Sequence, residues 1–264
     1  MTTGVLSLGL SGSVDHALIR ALAPRLEAAG FHALWLNDNP AGDALAGLAA
    51  AAEVTSTLVL ATGVLPFDRR PPHEIIATID LHELPLDRLV LGVGSGNRSR
   101  VGPVARGIGE LQAAVDATIV LGALGPQMRT LGARMAGGLL LSWLSPDAAA
   151  DAAGDARRAA DEVGRTYPWT MLYARTAVDP EAREVLVAET ATYAGYPSYA
   201  ANFARLGLEP ADTTIGPDGV GARIDSYLDV VDELVLRAIS RSGSLEDLLR
   251  FVEHPELAER LRPS

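Results

Sequence analysis

Eight short β-rich runs on a nearly regular beat constrain the fold of this chain more than any other feature. They read VLSLGL (5–10), ALWLND (33–38), TLVLATGV (57–64), RLVLGVGS (88–95), TIVLGA (118–123), GLLLSWL (138–144), TMLYARTAV (170–178) and ELVLRAI (233–239). Most are continuously apolar without alternation, the pattern of a strand buried on both faces of a parallel sheet. Between them lie stretches of helical period. Leu245, Leu248, Leu249 and Val252 fall at i, i+3, i+4 and i+7, and Met128, Leu131 and Met135 follow the period less regularly. Ser13 and Ser244 stand where N-caps belong, and Gly30 where the first helix closes. The runs begin about thirty residues apart until the last gap, which is about twice as long. Eight strands at that beat in 264 residues predict an α/β fold of the (β/α)8 TIM-barrel type. It is read as a single domain over residues 1–264, irregular after the seventh strand, with extra helices and a loop in 180–230. A doubly wound open sheet is the alternative.

Composition narrows the function. No apolar run approaches the length of a membrane span, and the N-terminal residues include no basic segment of a secretory signal, so a cytoplasmic, non-membrane protein is expected. Cysteine is absent, which excludes disulfides and thiolate chemistry. The 33 acidic residues face 22 basic ones, all of them arginine, for a net charge of −11. That balance weighs against nucleic-acid binding, and the lack of lysine excludes imine chemistry and a Walker-type lysine. No histidine pair has metal-ligand spacing with a third ligand nearby, so no metal is expected. No GxSxG or other nucleophile motif occurs. The Ala-rich stretch 44–54 reads as a helix that packs closely, either within the protomer or across a dimer.

In a barrel the site forms at the C-terminal ends of the strands. There the chain carries Asp38-Asn39 after the second strand, Thr62-Gly63-Val64 after the third and Gly94-Ser95-Gly96-Asn97 after the fourth. After the fifth comes Gly122-Ala123-Leu124-Gly125-Pro126-Gln127, and Ser142-Trp143 follows the sixth. Arg69, Arg70, Arg98 and Arg100 fall in two of these loops. Glycine, small polar groups and arginine at one rim of an acidic protein compose an anion-binding mouth. GVGSGN is not a dinucleotide fingerprint, because Asn97 stands at the third glycine position. Taken alone, that glycine run reads equally as a close-packed strand end, and the arginines as solvated surface.

The run LATGVLPFDRRPPHEIIATIDLHELPLDRLVLGVGSGN (60–97) resembles the luciferase-like monooxygenase family, flavin- or deazaflavin-dependent barrel enzymes. GFHALWLNDNP (30–40), LGALGPQMRTLGARMAGGLLLSWLSP (121–146) and SYAANFARLG (198–207) are similar to its second-strand motif, phosphate loop and C-terminal segment. The resemblance implies an oxidoreductase or monooxygenase that uses coenzyme F420 or FMN on a small organic substrate, and a homodimer. It implies that Gly122, Ala123, Leu124, Gly125, Pro126 and Gln127 hold the cofactor phosphate at a helix N-terminus, where Pro126 forfeits no useful donor. Gly94, Ser95, Gly96 and Asn97 match a second cofactor-facing loop. Thr62, Gly63 and Val64 match the site of a non-proline cis peptide behind the cofactor ring. Asp38 and Asn39 are the implied catalytic pair and Trp143 a wall of the substrate pocket. Two departures stand out. Asn39 occupies a position where the family often has histidine, and an amide cannot exchange protons near neutral pH. Few residues separate Asn97 from Gly122, where longer members carry a lid, so the pocket is either open or closed by residues 180–225. A non-catalytic flavin- or deazaflavin-binding protein is the second reading. A phosphate-ester isomerase or aldolase on the same barrel is the third, lacking a lysine and an obvious base.

Overall fold

A computed structural model describes residues 4–96 and 100–262. Eight parallel strands close into a barrel: β1 (Val5–Ser11), β2 (Ala33–Asn37), β3 (Val59–Thr62), β4 (Leu89–Gly94), β5 (Thr118–Gly122), β6 (Gly138–Ser142), β7 (Trp169–Thr176) and β8 (Glu233–Ala238). Each pairs with the next in sequence, and β8 returns to β1 through Val5↔Glu233 to Gly9↔Arg237. The seam between β3 and β4 is short, Leu60↔Leu89 and Ala61↔Val90. Beyond it the chain bulges through Gly63-Val64 and rejoins β4 where Leu65 pairs with Val93 and Pro66 with Gly94. The open-sheet alternative is excluded by this closure.

The alternation hidden in the apolar runs is now visible. Leu8, Leu10, Leu34, Leu36, Leu60, Leu91, Leu121, Leu139, Leu141, Leu234 and Leu236 point outward, buried beneath the helices. Ala33, Trp35, Ala61, Val120, Leu140, Met171, Tyr173 and Val235 fill the interior. Both faces are apolar, so the strands read as unbroken runs. Helices with one apolar face build the outer shell; in α6 (Pro146–Asp161) Ala149, Ala152, Ala153, Ala156 and Ala160 form the buried stripe.

The sequence expectations for caps are met at Ser244, whose hydroxyl accepts from Asp247 N, and at Gly30, left-handed at φ 89°. Ser13 is not the first N-cap. Asp15 takes that place and accepts from Ala17 N, since a carboxylate two residues closer to the helix reaches its free donors. The long gap before β8 holds α7 (Arg183–Ala194), α8 (Pro197–Leu206) and α9 (Val220–Leu228). The Ala-rich helix α2 (Ala44–Ala52) has no exposed residue, because α1 (His16–Ala29), β2 and β3 already cover it. Its composition is thus accounted for within the protomer.

Candidate active site

The C-terminal rim surrounds a cavity of about 950 Å³. Three groups of residues line it, and each follows from a different local cause.

The first group is backbone. β5 ends at Gly122, and α5 (Pro126–Met135) begins at once with Gly125 as its N-cap. Glycine offers no side-chain cap and Pro126 has no N–H, so the first turn's donors at Gln127 and Met128 have no partner within the helix. Leu124 N and Gly125 N likewise make no backbone hydrogen bond among the described residues. Arg129 explains their direction. Its buried guanidinium donates to the carbonyls of Leu124 (2.9 Å) and Ala123 (3.5 Å). In a planar trans peptide the N–H of the next residue points opposite to the carbonyl, so Leu124 N and Gly125 N turn away from Arg129. Burial lowers the Arg129 pKa to about 10, with the nearby charge of Arg205 acting in the same direction, so it remains a cation at neutral pH. The result is a row of unengaged donors at the positive end of a helix dipole, with Leu124, Gly125, Gln127 and Met128 all lining the cavity.

The second group is a cradle of missing side chains. The Gly63-Val64 peptide is cis, inside the stretch Thr62–Val64 singled out in the sequence. Val64 projects between two strand ends: a Cβ on Gly122 would lie 2.7 Å from Val64 Cγ1, and one on Gly94 2.8 Å from Cγ2. Only glycine fits beside it. A Cβ on Gly125 would meet nothing, so that face is open.

Polar side chains from the remaining strands make up the third group: Ser11, Asn37, Ser142, Tyr173, Arg175 and Arg237, all inward-facing at the strand ends. Arg175 is buried; it donates to Ser142 Oγ (2.9 Å) and Glu189 Oε1 (3.4 Å) and packs on the Trp143 and Tyr193 rings at 4.1 and 4.4 Å. Helices α7 and α8 contribute Glu189, Tyr193, Ser198, Tyr199, Asn202 and Arg205, so the segment 189–205 does form a wall of the cavity.

The structure brings most of the sequence-predicted residues to this rim. Asp38, Asn39, Gly63, Val64, Gly94, Ser95, Gly96, Gly122, Ala123, Leu124, Gly125, Pro126 and Gln127 all line the cavity. Asn97 and Arg98 lie outside the described residues. Thr62 sits just below the lining, buried, its hydroxyl donating to Gly92 O at 3.0 Å. Trp143 does not line the cavity. It is 1% exposed, in a left-handed conformation at φ 56°, and stands behind Arg175, Tyr193 and Phe203 as backing to that wall. Asp38 is buried and ion-paired to Arg69 and Arg70, and it also accepts from Ala44 N at 3.3 Å. Arg70 pairs with Asp43 as well. The expected arginine mouth is thereby corrected: Arg69 and Arg70 are engaged by carboxylates of the neighbouring loop after β2. The lining guanidiniums come from Arg175, Arg205 and Arg237 instead. Asn39 donates to Ser11 Oγ (2.9 Å) and accepts from Ala41 N (2.9 Å), which fixes its amide at the rim.

Asn37, Tyr173, Arg175, Arg205 and Arg237 were missed from sequence. A signal existed: TMLYARTAV and ELVLRAI each set one arginine in an otherwise apolar strand, and a charge there must face an occupied or polar interior.

The site and fold define a (β/α)8 barrel with a row of unengaged main-chain donors at one side of its mouth and guanidiniums at the other. The sequence profile described as luciferase-like monooxygenase matches residues 2–110, the stretch that runs through the first four strands. The resemblances at 121–146 and 198–207 fall beyond that match. No curated protein matches the sequence significantly. Among solved structures, the coenzyme F420-dependent tetrahydromethanopterin reductase of Methanopyrus kandleri superposes with TM-score 0.74 at 17% identity, over 98% of this chain and 99% of that one. An F420-dependent secondary alcohol dehydrogenase in complex with an F420–acetone adduct gives 0.78 at 13%, over 100% of both chains. The FMN-bound oxygenating constituent of 3,6-diketocamphane monooxygenase, from the CAM plasmid of Pseudomonas putida, gives 0.72 at 13% over 97% of each. At such identities the likeness establishes the fold.

Proposed function

We propose that this chain is an oxidoreductase that binds FMN or coenzyme F420 and acts on a small organic substrate. The observation that carries the reading is the row of unengaged N–H groups at Leu124, Gly125, Gln127 and Met128, opening on a glycine-walled cavity. A phosphate fits that row without lysine, each charge-assisted bond contributing about 1.5–3 kcal/mol. Gly63, Val64, Gly94 and Gly122 supply the flat surface that a planar ring system requires. Either cofactor provides hydride transfer when bound, and FMN also oxygen activation. Asn39, held by Ser11 and Ala41, orients a substrate through its amide. Like its solved relatives in fold, the chain would work on a small molecule, and we extend to it the homodimer implied by the family resemblance.

One observation favours a second reading, a binder without turnover. The lining contains no histidine, and its two carboxylates, Asp38 and Glu189, are both engaged by arginine. Titrating the purified protein with FMN and with F420, followed by absorption and fluorescence, tests binding. Turnover of the reduced cofactor over a panel of ketones, aldehydes and alcohols then tests activity. Absence of binding at millimolar cofactor refutes both readings; binding without turnover leaves the second.

A further inference from the structure

The cavity is chemically divided, and the half opposite the α5 donors has its own unmet bonding capacity. Arg237, on β8, lines the cavity and its side chain forms no ion pair among the described residues; the one hydrogen bond that side chain makes there is to Ala238 O at 2.6 Å. In a protein of net charge −11 this is a conspicuous surplus, given that Asp38 and Glu189, the cavity's own carboxylates, are already engaged. Tyr173 lies beside it. The ring is 5% exposed, and its hydroxyl is buried with no partner. That hydroxyl reaches across the barrel to β1, because a Cβ on Gly9 would lie only 2.5 Å from it. Gly9 pairs in register with Arg237, so both side chains stand on the same interior face, and the Arg237 charge is the strongest acting on the Tyr173 phenol. Asn37 adds a second buried atom without a partner, its Oδ1, on the far side of β1.

From this arrangement we propose that Arg237 and Tyr173 form a subsite for the carboxylate of an organic-acid substrate. The inference rests on the cofactor reading given above, which assigns the phosphate to α5. Around the ring, β8 stands three strands from β5, so an anion held at α5 leaves Arg237 uncompensated. A carboxylate supplies what both groups lack: acceptors for the guanidinium fork and for the phenolic O–H. Burial raises the Tyr173 pKa to about 12, against the pull of Arg237 and Arg175, so the phenol keeps its proton and serves as donor. Arg175 does not compete for this role, since Ser142, Glu189 and the aromatic rings occupy it.

The test compares benzoate with its neutral isostere benzamide by ligand-observed NMR titration of the full chain, without cofactor and saturated with FMN or F420. Benzoate should bind at least tenfold more tightly than benzamide. Arg237→Gln should bring the ratio to about one, Arg237→Lys should retain part of it, and Tyr173→Phe should reduce it severalfold. Equal binding of the two probes, binding of neither, or a ratio that survives Arg237→Gln overturns the proposal. A loss of FMN or F420 affinity in Arg237→Gln also overturns it, because the guanidinium then serves the cofactor. Should Arg237→Gln fail to fold, Arg237→Lys and Tyr173→Phe, each measured with the α5 donors filled by FMN or F420, decide the matter: a ratio unchanged in both overturns the proposal. Failure of the cofactor reading shows separately, as absent FMN and F420 binding by the wild type.

Discussion

Replacing Gly125 separates the stability of the α5 turn from its ability to hold an anion. Gly125 has φ −101° and ψ 164°, extended backbone open to any residue, and a Cβ there meets no atom within 4 Å. Gly125→Ala should therefore be close to neutral for folding. The lost freedom of the unfolded chain contributes about 0.4–1 kcal/mol, and the poorer N-cap costs roughly as much. Binding should respond in the other direction. The new side chain enters the cavity beside Leu124 N and Gly125 N, and a bulky residue covers them. Losing one charge-assisted bond of about 1.5 kcal/mol weakens affinity about tenfold, and losing two about a hundredfold. Gly125→Leu should thus lower FMN or F420 affinity at least tenfold, with Gly125→Ala between it and wild type. Urea midpoints measured beside the titrations supply the control. Unchanged affinity in Gly125→Leu would show that the turn serves the fold alone, and a parallel fall in midpoint would assign the effect to unfolding.

Four further outcomes follow from the geometry. Glu27 accepts from Ser56 N, Thr57 N, Thr57 Oγ1 and Leu58 N, bonds that hold its pKa down to about 2, with Thr57 N the largest contributor. A depressed pKa stabilises above the unfolded value of 4.5, so Glu27→Gln should cost about 1–2 kcal/mol at neutral pH, allowing for solvent screening. Denaturation midpoints should show that cost shrinking as pH falls from 4.5 and vanishing near 2. Gly122→Ala forces a methyl to 2.7 Å from Val64 Cγ1 and should destabilise by about 1–3 kcal/mol, measurable in the same way. Asp38→Asn leaves Arg69 and Arg70 without their shared carboxylate and should cost about 2–4 kcal/mol, while Asn39→His adds a titrating group at the rim. If turnover is found, its pH profile should change in Asn39→His; a flat comparison would remove residue 39 from the chemistry.

The barrel was legible because its strands are apolar on both faces and recur on a nearly regular beat. Each of the eight predicted runs overlaps an observed strand, from VLSLGL to ELVLRAI. The rim after β3 and β5 was marked by Gly63 and by Gly122 and Gly125, which line the cavity where the chain leaves those strands. What escaped notice depends on pairing between distant segments. Nothing local marks Arg69 and Arg70 as partners of Asp38 and Asp43; that follows from β2 and β3 lying side by side. Ser13 and Asp15 are both good caps, and only the backbone path decides between them. Trp143 stood at a strand end like the lining residues, but its left-handed backbone turns it beneath α7 and α8. Tyr173 and Arg237 were absorbed into apolar runs, and their placing on either side of Gly9, one across the barrel and one on the adjacent strand, is a property of the closed ring.

The two sides of the mouth also differ in how they can evolve. Around α5 the donors belong to the main chain, which every residue except proline possesses. Substitutions at Leu124, Gln127 or Met128 leave those N–H groups in place, so the row of donors tolerates drift. Opposite, the contacts belong to the side chains of Tyr173, Arg175 and Arg237, and one codon change alters each. On the proposed function, descendants of this barrel can therefore exchange the molecules they accept at the floor while inheriting the same row of main-chain donors above α5, without passing through a form that has lost both.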